Sequence, residues 1–398
     1  MLRMSGVPRD YPWGSPSAIH DLVGTVPDGA PLAELWFGGH RSGPAPLAAG
    51  GDLSALIAAD PVGTLGADVH ARFGPALPFL LKLIAPERPL SLQVHPDLER
   101  ARTRFAAEDA AGIPLDAPER NYRDPNHKPE LVYALTTFEA MCGFRAPRRA
   151  AELLSDLDVP LARELHATLR ADPTAEGMRA AFTSLLDGAT RPGAAAVAEV
   201  VQACRHRLAD GSPSPRADRT VVTLADAYPG DPGVVASLLL NPVTLRRGEA
   251  LFIPAGGVHA YLSGIGVEVM ASSDNTLRAG LTDKHVDVDE VLACVDCVAA
   301  PPIRLAPETF HGATRVYYAP VDDFELSVTV LGEGDCADGP RPLPGRGPRV
   351  LVCLDGAVEV STADDVLSLG RGEAAFVRAD DGPLRVAGVG TVVQADVP

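Results

Sequence analysis

Between residues 90 and 95 apolar and polar side chains alternate. Leu90, Leu92 and Val94 point one way along an extended chain, and Ser91, Gln93 and His95 point the other. The preceding run Leu80-Leu81-Lys82-Leu83-Ile84 is also strand-like, with Pro and Gly around both. This pattern predicts short strands and tight turns over the first 145 residues. From about Pro147 to Leu240 the period changes. Leu153, Leu154 and Leu157 recur at helical spacing, as do Leu161, Leu165 and Leu169. Met178, Phe182 and Leu185, then Val197, Val200, Val201, Cys204 and Leu208, continue it. Tyr228-Pro-Gly-Asp-Pro-Gly233 reads as a loop. Strand character returns at Val243 and, from about Pro302, holds to the end of the sequence.

A repeat ties the two β-rich stretches together. Arg247-Gly-Glu-Ala-Leu-Phe-Ile-Pro-Ala-Gly256 recurs 124 residues later as Arg371-Gly-Glu-Ala-Ala-Phe-Val-Arg-Ala-Asp380, with six of ten positions identical. Two related β-domains follow from it. After the first copy, Gly248-x5-Pro254-x-Gly256-x2-His259 delivers a histidine at the start of the next strand. This spacing resembles the second metal-binding motif of the cupin superfamily, with Ser263 where that motif often carries Asn. The second copy has Pro383 at the position of the histidine, so only the first half can hold metal this way. The expected fold is mainly β with a helical insertion: two cupin-like (jelly-roll) β-barrels plus an α-helical domain. The expected boundaries are 1–145 with 241–300 for the catalytic barrel, 146–240 for the helical insertion, and 301–398 for a C-terminal barrel without a metal site.

The formal net charge of −17 argues against nucleic acid and anionic membrane as partners, since both demand a basic face. An anionic small molecule requires a local cationic cluster. No apolar run approaches bilayer length, and the first residues lack the apolar core of a secretory signal, so a cytoplasmic protein is expected; a monomer is the separate expectation for its assembly. Six scattered cysteines do not make a disulfide scaffold. Cys294-Val-Asp-Cys297 has no second CxxC and follows helically spaced Val288, Val291 and Leu292, which favours reduced helix-face thiols.

Candidate chemistry gathers in the first half. Gln93 and His95 share a strand face and can converge on one ion. Asn126-His-Lys-Pro-Glu130 places Glu130 at the head of the strand-like Leu131–Leu135. With His259 these make a Gln, His, Glu, His set. Imidazole and carboxylate suit zinc, and the absence of cysteine ligands points to a catalytic site. Spacing alone does not single out Gln93. Asp97 is expected to cap a helix beginning at Leu98, Trp13 and Trp36 to pack or anchor loops near the site mouth, and His127 to be structural or to support the site from behind its ligands. His285 is read as a helix cap.

These residues carry a family resemblance. Tyr11-Pro-Trp-Gly14, Ala33-Glu-Leu-Trp36, Pro78–Lys82, Leu90-Ser-Leu-Gln-Val-His-Pro-Asp97, Tyr122-x-Asp124-x-Asn126-His-Lys-Pro-Glu130 and Ile253–His285 occur in order over roughly residues 1–290. In them the chain resembles type I mannose-6-phosphate isomerases. The resemblance implies one zinc ion per chain, held by Gln93, His95, Glu130 and His259. It also assigns Arg278 as the active-site arginine and brings in Lys128 and Glu268. It implies interconversion of D-mannose 6-phosphate and D-fructose 6-phosphate through a cis-enediol, which needs cationic or Lewis-acid help at the developing oxyanion and a base near C1 and C2.

Arg278, Lys284, Lys82 and Lys128 are the expected cations for a sugar phosphate, and Ser91 and Tyr261 its expected polar contacts. Glu268 is favoured over Lys128 as base, and a metal-bound His259 is disfavoured. A salt bridge from Glu268 to Arg278 or Lys284 is the competing reading. Other metal-dependent cupin enzymes, such as an iron dioxygenase, and a non-catalytic sugar-binding bicupin are the alternatives.

Overall fold

The alternation at residues 90–95 becomes the strand Leu92–Val94 in the structure, a computed structural model that describes residues 1–398. Leu92 and Val94 are fully buried on one side, while Gln93 is half-buried on the other. The strand belongs to a five-stranded antiparallel sheet. Its spatial order is Leu277–Gly280, Leu92–Val94, His259–Ser263, Phe138–Phe144 and Leu240–Leu245. A seven-stranded sheet runs Ile303–Leu305, Ala250–Ile253, Glu130–Ala134, Gly266–Ala271, Phe79–Ile84, Glu34–Phe37 and Val7–Arg9. Val132, Ala134, Leu251 and Ile253 of the larger sheet meet Phe138, Ala140, Val243 and Tyr261 of the smaller in a 12-residue apolar cluster. The two sheets thus enclose a barrel interior.

The outer faces are covered from opposite sides. Leu92, Val94, Phe144, Ala260 and Leu277 of the five-stranded sheet join a 39-residue cluster with the helical segment. That segment folds as Pro147–Ser155, Pro160–Ala171, Ala175–Leu186, Ala194–Ala209 and Pro215–Ala227, close to where the apolar period places helices. On the other side, Leu81, Leu83, Leu131, Phe252 and Val267 of the seven-stranded sheet pack against Leu326, Val328, Val350, Val352, Phe376 and Val393 of a third, nine-stranded sheet. Each fully buried Leu, Val or Phe in these layers contributes about 1.5–3 kcal/mol. The layers therefore fix the barrel's shape well beyond what its short strands could do alone. The nine-stranded sheet encloses its own cluster, including Leu351, Cys353, Val360, Val377 and Val386.

The repeat is visible in three dimensions. Gly248 and Gly372 both take positive φ (89° and 81°) in the turn. Glu249 Oε2 accepts from the Arg246 N–H at 2.9 Å, and Glu373 Oε2 accepts from the Gly370 N–H at 2.7 Å. Each turn opens a strand, Ala250–Ile253 and Ala374–Val377.

Several expectations change. The first 145 residues are not only strands and turns, because Ala18–Val23, Leu53–Ala59, Pro61–Leu65 and Ala67–Phe73 are helical. Asp52 and Asp60 side chains accept from the Ala55 and Gly63 N–H groups and start two of these helices. The expected division of the chain is crossed twice. Leu2–Met4 pairs with Ala374–Val377 in the nine-stranded sheet, and Ile303–Leu305 pairs with Ala250–Ile253 in the seven-stranded one. Both exchanges cover a strand edge that would otherwise be open. The helix Val288–Cys294 is capped by Asp287, whose side chain accepts from the Glu290 N–H, and not by His285. Cys297 lies beyond the end of that helix. No helix is long and apolar enough to cross a membrane.

Candidate metal centre and active site

Three elements bring His95, Glu130 and His259 together. His95 follows the strand Leu92–Val94, His259 opens its neighbour, and Glu130 opens a strand of the opposing sheet. Their donor atoms all lie within 4.8 Å of one another, and all three residues are buried. Glu130 Oε1 is 3.2 Å from His95 Nε2, and Glu130 Oε2 is 3.3 Å from His259 Nε2. The other ring nitrogens are occupied. His95 Nδ1 is 2.7 Å from the Asn275 carbonyl oxygen, and His259 Nδ1 is 2.9 Å from that of Gly257. Each carbonyl accepts a hydrogen bond from an Nδ1–H, which leaves the Nε2 lone pairs facing the carboxylate. His95 Nε2 is buried without a conventional hydrogen bond. Two bare imidazole nitrogens beside a carboxylate form the donor set of a zinc centre.

Charge tuning suits the same purpose. Burial, together with the nearby Lys128 ammonium, pushes His95 down to about 4, so its imidazole is neutral at physiological pH. Burial alone would raise Glu130, but Lys128 and His95 outweigh it and hold the carboxyl well below its ordinary value. Gln93 stands directly opposite His259 in the ladder, and on its other side opposite Arg278. Its Nε2 donates to Ser91 Oγ at 3.2 Å.

Above the triad lies a cavity of about 860 Å³. Of the sequence-derived site residues, Gln93, Glu130, His259, Arg278, Glu268, Lys128, Ser91, Lys82, Lys284 and Tyr261 line it, and His95 sits behind the wall. The expected cation cluster divides. Lys82 Nζ is 2.8 Å from Glu268 Oε2 and 3.9 Å from Glu34 Oε1, with all three side chains buried. Lys128 Nζ is 2.8 Å from Glu130 Oε1. Each ammonium group pairs with a carboxylate, so neither faces the cavity as an unpaired cation. Glu268 pairs with Lys82 rather than with Arg278 or Lys284, because the two are register partners on adjacent strands.

Arg278 and Lys284 remain facing the cavity, joined by Arg123, which the sequence reading passed over. Burial lowers the pKa of Arg278, and Arg123 lowers it further. Burial and Arg278 do the same to Lys284. Three mutually repelling cations at one cavity wall favour an anion between them.

Glu34 was also missed, although it stands in the Ala33–Trp36 motif. It accepts from Trp36 Nε1 at 2.6 Å and shares Lys82 with Glu268. Burial raises Glu268, with Glu130 and Glu34 adding to the effect and Lys82 opposing it. Tyr261 directs its hydroxyl at Glu130 Oε2, at 3.4 Å. Trp13 stacks on Tyr11 with centroids 5.6 Å apart, and both line the cavity mouth. Asp97 caps the helix Leu98–Ala110 as expected.

Residues 1–147 match the family model for the phosphomannose isomerase type I catalytic domain. The mannose-6-phosphate isomerase of Escherichia coli (strain K12) is 39% identical, over 99% of either chain. The chain belongs to the mannose-6-phosphate isomerase family. Mannose-6-phosphate isomerase 1 of Arabidopsis thaliana is 32% identical, covering 94% of this chain and 88% of that relative. Among solved structures, the mannose 6-phosphate isomerase of Salmonella typhimurium bound to its substrate fructose 6-phosphate and to zinc superposes with a TM-score of 0.89. It is 36% identical and covers 100% of this chain and 99% of its own. Family likeness therefore extends over the helical segment and the last hundred residues, which the sequence motifs alone did not reach.

Proposed function

We propose that this protein is a zinc-dependent isomerase interconverting D-mannose 6-phosphate and D-fructose 6-phosphate. The observation that carries this reading is the placement of two bare imidazole nitrogens and a carboxylate beneath a cavity whose wall holds Arg278, Arg123 and Lys284. Gln93, His95, Glu130 and His259 are the proposed metal ligands. When bound, zinc supplies a Lewis acid that polarises a sugar oxygen and orients the substrate.

The chain's own residues supply the rest. Arg278, Arg123 and Lys284 neutralise the phosphate, with Arg suited to a bidentate contact. The reacting carbons then lie toward Glu268, Lys128 and Tyr261. The reaction moves a proton from C2 of the aldose to C1 through a cis-enediol, so a base must reach C1 and C2. Glu268 fits that role. Its carboxyl is raised toward the working pH, which improves proton transfer, and the Lys82 ion pair fixes its orientation. Lys128 donates toward the oxygen on which charge develops, and Ser91 and Gln93 contact one another at the same wall. The barrel formed mainly by residues 1–145 and 241–300 would carry the chemistry. Residues 146–240 and 301–398 would buttress its outer faces.

A coupled isomerase assay with mannose 6-phosphate tests the reading on protein as purified, after chelation, and after zinc return. Activity lost and then restored supports it. A zinc-loaded sample that does not turn over mannose 6-phosphate overturns it.

A further inference from the structure

The loop that leads into Glu130 is held at two points, and only one belongs to the catalytic barrel. On the near side, Asn275 donates through Nδ2 to the Asp124 and Asn126 carbonyl oxygens at 2.7 and 2.8 Å. Its Oδ1 accepts from the Arg123 N–H at 2.7 Å. Ser273 Oγ donates to Asp124 Oδ1 at 2.8 Å. These bonds fix residues 123–126 and, through the Asn275 carbonyl, His95 as well.

His127 turns the other way. Its Nε2 lies 3.0 Å from both Oδ1 and Oδ2 of Asp323. Asp323 is buried and stands just before the strand Glu325–Leu331 of the nine-stranded sheet. A carboxylate only accepts, so Nε2 carries the proton and donates. The contact joins residues 196 positions apart and ties the C-terminal sheet to the segment bearing Lys128 and Glu130.

We infer that Asp323 is a positioning residue for the metal centre: it grips His127 and so sets the loop that presents Glu130 and Lys128. This gives the C-terminal sheet a role in the site beyond covering an apolar face. His127 does not line the cavity, so Asp323 acts through the loop and does not touch substrate. Groups hydrogen-bonded directly to metal ligands commonly alter metal affinity by 10–100-fold. The effect here passes through a three-residue stretch of backbone, which sets the expectation at the lower end. The inference rests on the isomerase reading only where turnover is measured.

The test compares wild type, Asp323→Ala and Asp323→Asn for zinc affinity by chelator competition, for kcat and KM, and for thermal midpoint with and without zinc. Asp323→Ala is expected to weaken zinc about tenfold and to lower kcat with KM nearly unchanged. Asp323→Asn retains an acceptor oxygen and is expected to recover most of both. His127→Ala is expected to match Asp323→Ala, and the double variant to add little, since the two act as one unit. Zinc affinity and kcat per folded molecule equal to wild type in Asp323→Ala would overturn the inference, whatever the thermal midpoint does. Should the alanine variant not fold, Asp323→Ser replaces it, being polar yet too short to reach the imidazole. Zinc affinity is read without substrate. A wild type that binds zinc but does not turn over mannose 6-phosphate defeats the isomerase reading alone, whereas a wild type that takes up no zinc defeats both.

Discussion

Glu130, Glu268, Lys82 and Lys128 each already have a charged partner that limits what they can do. Glu130 meets both imidazoles and Lys128, so Glu130→Gln removes the one negative ligand and leaves Lys128 unpaired in a buried site. Bound zinc is expected to fall from one per chain to near zero, as read by metal analysis after gel filtration. Glu268 touches Lys82 and no member of the triad within hydrogen-bond range. Glu268→Gln is therefore expected to keep zinc while losing about 10²–10⁴ in kcat, the usual value of a general base. Near-normal turnover with zinc retained would remove Glu268 from that role. Arg123 is different in kind, since it contacts the cavity as a cation rather than the reacting atoms. Arg123→Gln is expected to raise KM about tenfold with kcat within about threefold, the pattern of lost uniform binding.

At the scale of elements, one crossover between the two facing sheets carries much of the site. The strand His259–Ser263 turns through Gly264 and Ile265 into Gly266–Ala271, so His259, Tyr261 and Glu268 ride on one connection. Gly264 has φ of 121°, and a Cβ there would lie 2.6 Å from the Thr137 carbonyl oxygen and 2.8 Å from Phe138 Cα. Both obstacles are backbone, which cannot swing aside. Gly264→Ala is expected to cost about 1–3 kcal/mol of stability, seen as a lower denaturant midpoint. Its zinc affinity should fall as well, because Thr137 and Phe138 lead into the strand that pairs with His259–Ser263. The neighbouring pairing of Gly266–Ala271 with Phe79–Ile84 explains why Glu268 found Lys82. Nothing in local sequence announces that partnership, since the whole helical segment lies between the two strands in the chain.

The whole molecule is a stack in which helices, two facing sheets and a third sheet share continuous apolar layers. The third sheet has its own buried polar cluster. Asp396 lies opposite Glu325 in the ladder, and Gln394 opposite Ser327, with Arg349 buried nearby. Burial and Glu325 raise the Asp396 carboxyl well above its ordinary value, against the pull of Arg349. The folded chain thus keeps a proton that the unfolded chain sheds above about pH 4. The stability this carboxyl contributes is complete below the unfolded pKa and is lost as pH rises toward the folded one. Asp396→Asn cannot ionise and can still donate to Glu325. Its thermal midpoint relative to wild type is expected to climb between pH 5 and pH 9, by roughly 2–4 °C for each kcal/mol. A difference that stays flat across that range would show that Asp396 is ionised throughout.

The sequence by itself determined several features that depend on short range, though not the short Asp-capped helices near residues 53–65. Period-two alternation put Gln93 on the inner face, the Pro-Gly turn delivered His259, helical spacing set out the segment after Pro147, and the repeated Arg-Gly-Glu turn marked two related strands. Pleat, turn chemistry and helical period are local properties of the backbone, so they are legible in a string of residues. Tertiary structure decided which charges are free. Lys82 and Lys128 look like phosphate cations in the sequence, and only strand register and the convergence of two sheets commit them to Glu268 and Glu130. It also decided that Leu2–Met4 completes a distant sheet and that Asp323 reaches back to His127. Such contacts join residues far apart in the chain, and they form because burying apolar faces between layers brings their elements together, whatever the sequence beside them says.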